Sequence, residues 1–386
     1  MKWLRYRTSA TGGRAAASGE KDSGSGQGCE TGNKPSIHLF TVEAHGIRGK
    51  DEPLIARETT RRPLLGLGHW HKVTPYDVPL AGAAWVRMDY VMHEGQVELA
   101  ADEVASAIAA QFGDFAGLPI ERVESAGTVV APFRVGEHVV ARLPLVPTDS
   151  DVARESVRGE QEHAVVLADL LDIAVPQLIG VGEPFERYAG VWSLWTWLPG
   201  ISLDRLAVSR DIRLATDLAT VIGSIQSLRS GGRPWNGVGR GGSPLADTTW
   251  VRESIDRSAH LIDRGRAIAV WERALSARPY IDPPLRIHGD PMPGNFLMND
   301  GVLTGMVDVG IPAIGDPAAD LQPAWVLFEE PARGTFVTKM RLDVAAQERG
   351  RGWAFEMAIG GLHYYEHTNT VFSSQALQTL ERLLTE

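Results

Sequence analysis

The chain is short of several things. Its 386 residues hold a single cysteine, Cys29, so no intrachain disulfide or thiolate zinc site is expected and nothing points to an oxidising compartment. No run of about 18 apolar residues is present, so no membrane-spanning helix is expected. Lys2, Arg5 and Arg7 are followed by no apolar stretch; no secretory signal is expected, and the cytoplasm is the expected location. No HExxH metal motif occurs.

Positive charge is also scarce, with 38 Lys and Arg against 48 Asp and Glu. The deficit is uneven. Residues 1–90 carry 13 basic and 9 acidic side chains, and the rest carry 25 against 39. An acidic body argues against nucleic acid as the main partner, because phosphates need cations. Hydrophobic residues make up 44% and charged residues 22%, the balance of a globular protein long enough for two lobes.

Residues 1–35 are rich in Gly, Ser, Ala and Thr and cannot bury enough surface to offset chain entropy, so disorder is expected. Residues 36–90 show no sustained period. Met88 or Met92 is a candidate start of translation, with a genuine flexible tail as the equal alternative; on either reading 1–91 is expected to be an extension rather than part of a lobe. Regular patterning begins at residue 92. Helical spacing covers 98–112, and β-branched runs follow at 120–123, 129–135 and 138–143. A helix is expected over 152–171, then strands at 177–181 and 191–197. Helices are expected over 210–228, 248–263 and 267–277. A small β insert lies at 286–288, 296–298 and 303–307, and helices resume from 317. A β-rich part with one helix thus precedes a helix-rich part holding a short hairpin. That is a two-lobed α+β protein, with a smaller lobe over 92–197 and a larger one over 198–386.

The chemistry concentrates in 286–321. His288-Gly289-Asp290 is followed five residues after the aspartate by Asn295, and Asp308-x-Gly310 comes thirteen residues after that. Phosphoryl transfer suits these residue types. A carboxylate beside the attacking hydroxyl accepts its proton, and Asp290 fits that role. Magnesium prefers hard oxygen ligands and takes few from protein when phosphates supply the rest, and Asn295 and Asp308 fit that role. A tight hairpin between them would bring both to one end, and Gly310 allows a sharp turn after Asp308. Asp316-Pro317 reads as a helix start, and His288 as a support for the loop rather than a proton carrier. A hydrolytic metal cluster of His288, Asp290 and Asp308 is the weaker rival.

This H-G-D-x-x-x-x-N and D-x-G pattern, followed by Gly315-Asp316-Pro317-Ala318-Ala319-Asp320-Leu321, resembles the aminoglycoside-phosphotransferase-like family of small-molecule kinases, which includes macrolide kinases. Residues 139–144 (VVARLP), 159–163, 195–200 (WTWLPG) and 364–369 (YYEHTN) are similar to family segments too, so the likeness runs from about residue 95 onward. It implies a protein-kinase-like fold, a magnesium-bound ATP or GTP as co-substrate, and a hydroxylated small-molecule acceptor, with antibiotic resistance as one possible role. It implies Asp290 as base and Asn295 and Asp308 as metal ligands. On the nucleotide side it implies Arg142 on a strand as the phosphate cation, with Glu160 (or Glu162) as its partner. The turn Ser125-Ala126-Gly127-Thr128 would lie over the phosphates, and Trp195-Thr196-Trp197 would offer backbone groups to the purine.

Three features depart from the family pattern. The turn lacks a G-x-G-x-x-G, Pro132 removes a backbone donor, and arginine stands where lysine is usual. They make a pseudokinase-like nucleotide- or ligand-binding protein the alternative. Candidates for the acceptor wall are Trp325, Phe328, Glu329, Glu330, Trp353, Glu356, Tyr364, Tyr365 and Glu366, with most of the aromatics expected to be core.

Overall fold

A computed structural model describes residues 91–186, 188–235, 240–242, 249–310 and 313–385. The extension expected to be disordered lies outside the described residues.

Helix α1 (Ala101–Gln111) buries Val104, Ala107 and Ile108, the stripe its spacing marks out. Strands β1 (Ile120–Arg122), β2 (Val130–Val135) and β3 (Val139–Pro144) follow. Burial alternates along β2 and β3, so Ala131, Phe133 and Val135 share a face with Val139, Ala141 and Leu143. That face forms one core with α1, Tyr188 and Trp192. Arg142 therefore stands on the opposite face.

Helix α2 (Ser150–Leu170) begins two residues before the expected position. Asp149 caps it, accepting from the amides of Asp151 at 3.0 Å and Val152 at 3.2 Å. Strands β4 (Leu178–Gly182) and β5 (Trp192–Thr196) complete an antiparallel sheet of order β1-β2-β3-β5-β4. Trp195 joins Ala164 and Leu167 of α2 in a second core, shared with the helical part.

That part opens with β6 (Ile201–Ser202) and α3 (Ile212–Ser227), the latter capped by Asp211. Helices α4 (Thr249–Arg257) and α5 (Arg264–Ser276) replace the expected 248–263 and 267–277. Asp263, expected to end the first, instead caps the second by accepting from the Arg266 amide at 3.0 Å. Then come β7 (Leu285–Ile287), β8 (Phe296–Asn299), β9 (Val302–Met306) and β10 (Ala313–Gly315). Strands β8 and β9 form the expected hairpin, turned by Asp300 and Gly301, both at positive φ. Pairing of β6 with β8 and of β10 with β7 was not expected from the sequence, since runs this short carry no period.

Residues Pro317–Leu321 form a 3-10 turn, not the expected α-helix. It does start as Asp316-Pro317 predicts, with the Asp316 carboxylate accepting from the Ala318 amide at 3.0 Å. Helices α6 (Pro323–Val326), α7 (Ala332–Met340), α8 (Val344–Tyr364) and α9 (Thr370–Leu384) complete the chain. Helix α8 runs through the middle of this part, buried from Gly352 to Leu362. No described helix is long and apolar enough to cross a membrane. The α+β architecture matches the sequence-based expectation.

Candidate active site

The His288–Asp290 loop leaves β7 at a left-handed glycine, Gly289 (φ 81°). Its shape is set from below by Asp320, fully buried, which accepts from the amides of His288 at 3.1 Å and Gly289 at 2.7 Å. Gln226 Nε2 donates to the same carboxylate at 3.0 Å. Burial pushes the Asp320 carboxyl up, against the downward pull of His288, the Gly289 amide and Gln226. Gln322 Nε2 donates to the Gly289 carbonyl at 3.3 Å. His288 Nδ1 accepts from the Asp290 amide at 3.3 Å, and its ring packs on Phe296 at 5.7 Å. His288 thus supports the loop, as the sequence suggested, and Asp320 supports it with two backbone hydrogen bonds.

Asn295 is tied to the same loop, with Nδ2 donating to the Asp290 carbonyl at 3.0 Å. The Val307 amide donates to the Asn295 carbonyl at 2.9 Å, joining the loop to the segment after β9. Asp308 Oδ1 accepts from the Gly310 amide at 3.1 Å, made possible by Gly310 at φ 55°. From α2, His163 Nδ1 donates to the Gly310 carbonyl at 3.2 Å. Burial holds His163 below its usual pKa, so the ring is neutral.

On the sheet side, Arg142 and Glu160 form an ion pair, both side chains largely buried. Glu162 is exposed and does not share it. Burial lowers the Arg142 pKa and is outweighed by the charges of Glu160 and Asp308. Glu160 is pushed up by burial first, and the Asp308 charge adds to that. Asp308, in the helical part, therefore lies within the field of the sheet's ion pair.

The turn at 125–128 is held by its carbonyls. Arg205 donates to Glu124, Asn369 Nδ2 to Ala126 at 3.1 Å, and His93 Nε2 to Thr128 at 2.6 Å. His93 Nδ1 also pairs with the Tyr364 hydroxyl at 3.0 Å. Within the turn, Ser125 Oγ accepts from the Gly127 amide at 2.9 Å. Tyr364 and Asn369 lie in the family-like 364–369 segment, but nothing in the sequence paired them, Arg205 or His93 with this turn. At Trp195-Thr196-Trp197, Trp195 is fully buried. The amides of Thr196 and Trp197 already donate to Gln177 at 2.9 Å and His138 at 2.7 Å. Those two donors are engaged inside the protein rather than turned to a ligand.

Among the described residues, no group of three or more His, Cys, Asp or Glu is placed to hold a metal, which leaves the hydrolytic cluster without ligands. A family model described as the phosphotransferase enzyme family (APH) matches residues 133–356, more than half of the chain. The chain belongs to the APH phosphotransferase family. No curated protein matches it. Among solved structures, the GDP and kanamycin complex of APH(2")-IIIa is 19% identical, covering 72% of this chain and 97% of that one at a TM-score of 0.56. The GDP complex of aminoglycoside 2'-phosphotransferase-IIIa is 19% identical, covering 74% and 99% at 0.55. The likeness establishes the kinase-like fold.

In this APH-family chain, most residues expected at the acceptor wall serve other ends. Trp325, Phe328 and Trp353 are core. Glu329 pairs with Arg382 at 3.6 Å, Glu330 with Arg333 at 3.1 Å and Glu366 with His260 at 2.9 Å. Tyr364 and Tyr365 pack on His93. A small cleft of about 210 Å³ opens beside Pro293, lined by Asp204, Val208, Val326, Gln375 and Arg382 among others.

Glu356 is buried, and its Oε2 has no hydrogen-bond partner. Burial pushes it up to about 8, with Arg240 pulling the other way. The unfolded chain loses this proton near 4.5. From about that pH to about 8, the folded protein keeps a proton that the unfolded chain has released, so stability falls as pH rises. The slope is about 1.4 kcal/mol per pH unit. Glu356→Gln is expected to remove this slope, and thermal melts of both proteins between pH 5 and 9 check it.

Proposed function

We propose that this phosphotransferase moves the γ-phosphate of a magnesium-bound nucleoside triphosphate to a hydroxyl of a small molecule. Residues 92–197 serve as the nucleotide-binding lobe and residues 198–386 as the catalytic lobe. One observation carries the proposal. Asp290 and Asn295 are bonded within one loop, and Asp308 is coupled electrostatically to the Arg142–Glu160 pair. The Val307 amide on the Asn295 carbonyl ties the loop that carries the base to the segment that carries Asp308.

The donor set suits magnesium. The Asn295 amide nitrogen is directed at the Asp290 carbonyl, which leaves Oδ1 for a cation. Asp308 uses Oδ1 for the Gly310 amide, which leaves Oδ2. One carboxylate and one amide oxygen suffice where phosphates complete the shell. Magnesium bound there would neutralise charge on the triphosphate. Arg142, kept in place by Glu160, binds phosphate oxygens. Asp290 orients the acceptor hydroxyl and accepts its proton as the oxygen bonds to phosphorus.

One observation favours a second function, a nucleotide- or ligand-binding protein without turnover. The carbonyls at 124, 126 and 128 are bound to Arg205, Asn369 and His93, and the amides of Thr196 and Trp197 are engaged. One pair of assays separates the two. Magnesium-ATP and magnesium-GTP at millimolar concentration are expected to raise the melting temperature by several degrees, and EDTA to remove the shift. Phosphate transfer is expected with at least one acceptor in a panel of amino sugars, macrolides and amino alcohols. The neighbouring kanamycin complex makes amino sugars the first to try. A shift without transfer across the panel would favour the binding protein, and no shift with either nucleotide would sink the kinase.

A further inference from the structure

The loop from Asp290 to Asn295 reads Asp-Pro-Met-Pro-Gly-Asn and contains no cation. The charge that touches Asp290 comes from fifty residues upstream. Arg240 Nη1 donates to Asp290 Oδ1 at 2.5 Å. The arginine side chain is 13% exposed and the aspartate 49%, so a carboxylate that faces outward is gripped from behind.

The backbone around Arg240 is wedged rather than loose. The Gly241 carbonyl accepts from the Asp316 amide at 2.9 Å. A Cβ on Gly241 would come within 2.7 Å of Ile287 Cδ1, and one on Gly315 would run into the Gly241 backbone. The segment is thus packed on β7 and β10, the strands that launch the loop. The charge of Arg240 also pulls down on the buried Glu356 carboxyl, against the upward push of burial.

We propose that Arg240 is a positioning residue for phosphoryl transfer: it holds Asp290 by one oxygen and turns the other to the acceptor hydroxyl. The inference rests on Asp290 being the base. In the step, the acceptor oxygen bonds to the γ-phosphorus and its proton passes to Asp290. The bond from that phosphorus to the bridging oxygen breaks, and its electron pair stays on the β-phosphate. Asp290 is then neutral, still held by Arg240 through its other oxygen.

The test follows phosphate release from magnesium-ATP, with water as acceptor, in four variants. Arg240→Met is expected to lower kcat about a hundredfold with KM for magnesium-ATP within about twofold. Arg240→Lys is expected to recover about tenfold, and it keeps the test open should the methionine variant fold poorly. The double variant Asp290→Asn with Arg240→Met is expected to be no slower than Asp290→Asn alone, since residues acting as a unit are not additive. A wild-type rate in Arg240→Met, or full additivity in the double variant, would overturn the inference while leaving Asp290 as base. Lysine failing to recover activity in a protein that melts like wild type would overturn it as well. A wild-type rate in Asp290→Asn, or a wild-type protein that neither releases phosphate to water nor transfers it to any acceptor in the panel, would overturn the proposed function and this inference together.

Discussion

Asp290→Asn is expected to reduce phosphate transfer by about a thousandfold, in the range that general-base removal costs. The amide has the carboxylate's shape and keeps an oxygen for Arg240 Nη1, so the loop geometry survives. What it loses is the capacity to accept a proton. Its backbone contacts to His288 and Asn295 do not involve the side chain, so the metal ligands are undisturbed. The thermal shift with magnesium-ATP should therefore equal that of the wild type. Initial rates and melts on one protein batch check both halves. A variant that lost nucleotide binding together with turnover would mean that Asp290 holds the site rather than acting in it.

The second large effect concerns stability. Arg349 and Asp316 form a bidentate pair at 2.6 and 3.1 Å, with side chains 5% and 4% exposed. Arg349 also donates to the Arg278 carbonyl at 2.6 Å. The pair joins α8 to the turn after β10, directly under the segment that carries Arg240. Arg349→Met leaves a buried carboxylate without its countercharge, which typically costs about 3–5 kcal/mol. For a domain of this size that is roughly a 10 °C fall in melting temperature. Adding Asp316→Asn should restore part of the loss, because the remaining buried group is then uncharged. Melts of the single and double variants check this, and a single variant that melts like wild type would place the pair's energy near zero.

Legibility in the sequence followed distance along the chain. Strands β2 and β3 were readable because alternation over six residues is a local signal, and β8–β9 because a turn of Asp300 and Gly301 sits between apolar runs. The His288–Asn295 loop and Asp308 were readable as a spaced motif, and Glu160 was correctly taken over Glu162 as the partner of Arg142. Arg240 was not. It lies fifty residues from Asp290 in a Gly-rich stretch with no period. The grip on the 124–128 turn was equally hidden, since Asn369 reaches Ala126 across 243 positions. Asp263 shows a subtler miss: an acidic residue after a helical stripe reads as its end, whereas its carboxylate starts the next helix. Among the acceptor-wall candidates, Trp325, Phe328 and Trp353 are core, as aromatics at helical spacing usually are.

The most direct test is a crystal structure of the protein grown with magnesium and a non-hydrolysable ATP analogue. The expected result is a cation bonded to Asn295 Oδ1 and Asp308, phosphates on Arg142, and the γ-phosphate facing Asp290. A nucleotide bound elsewhere, or a cation touching neither Asn295 nor Asp308, would contradict the account.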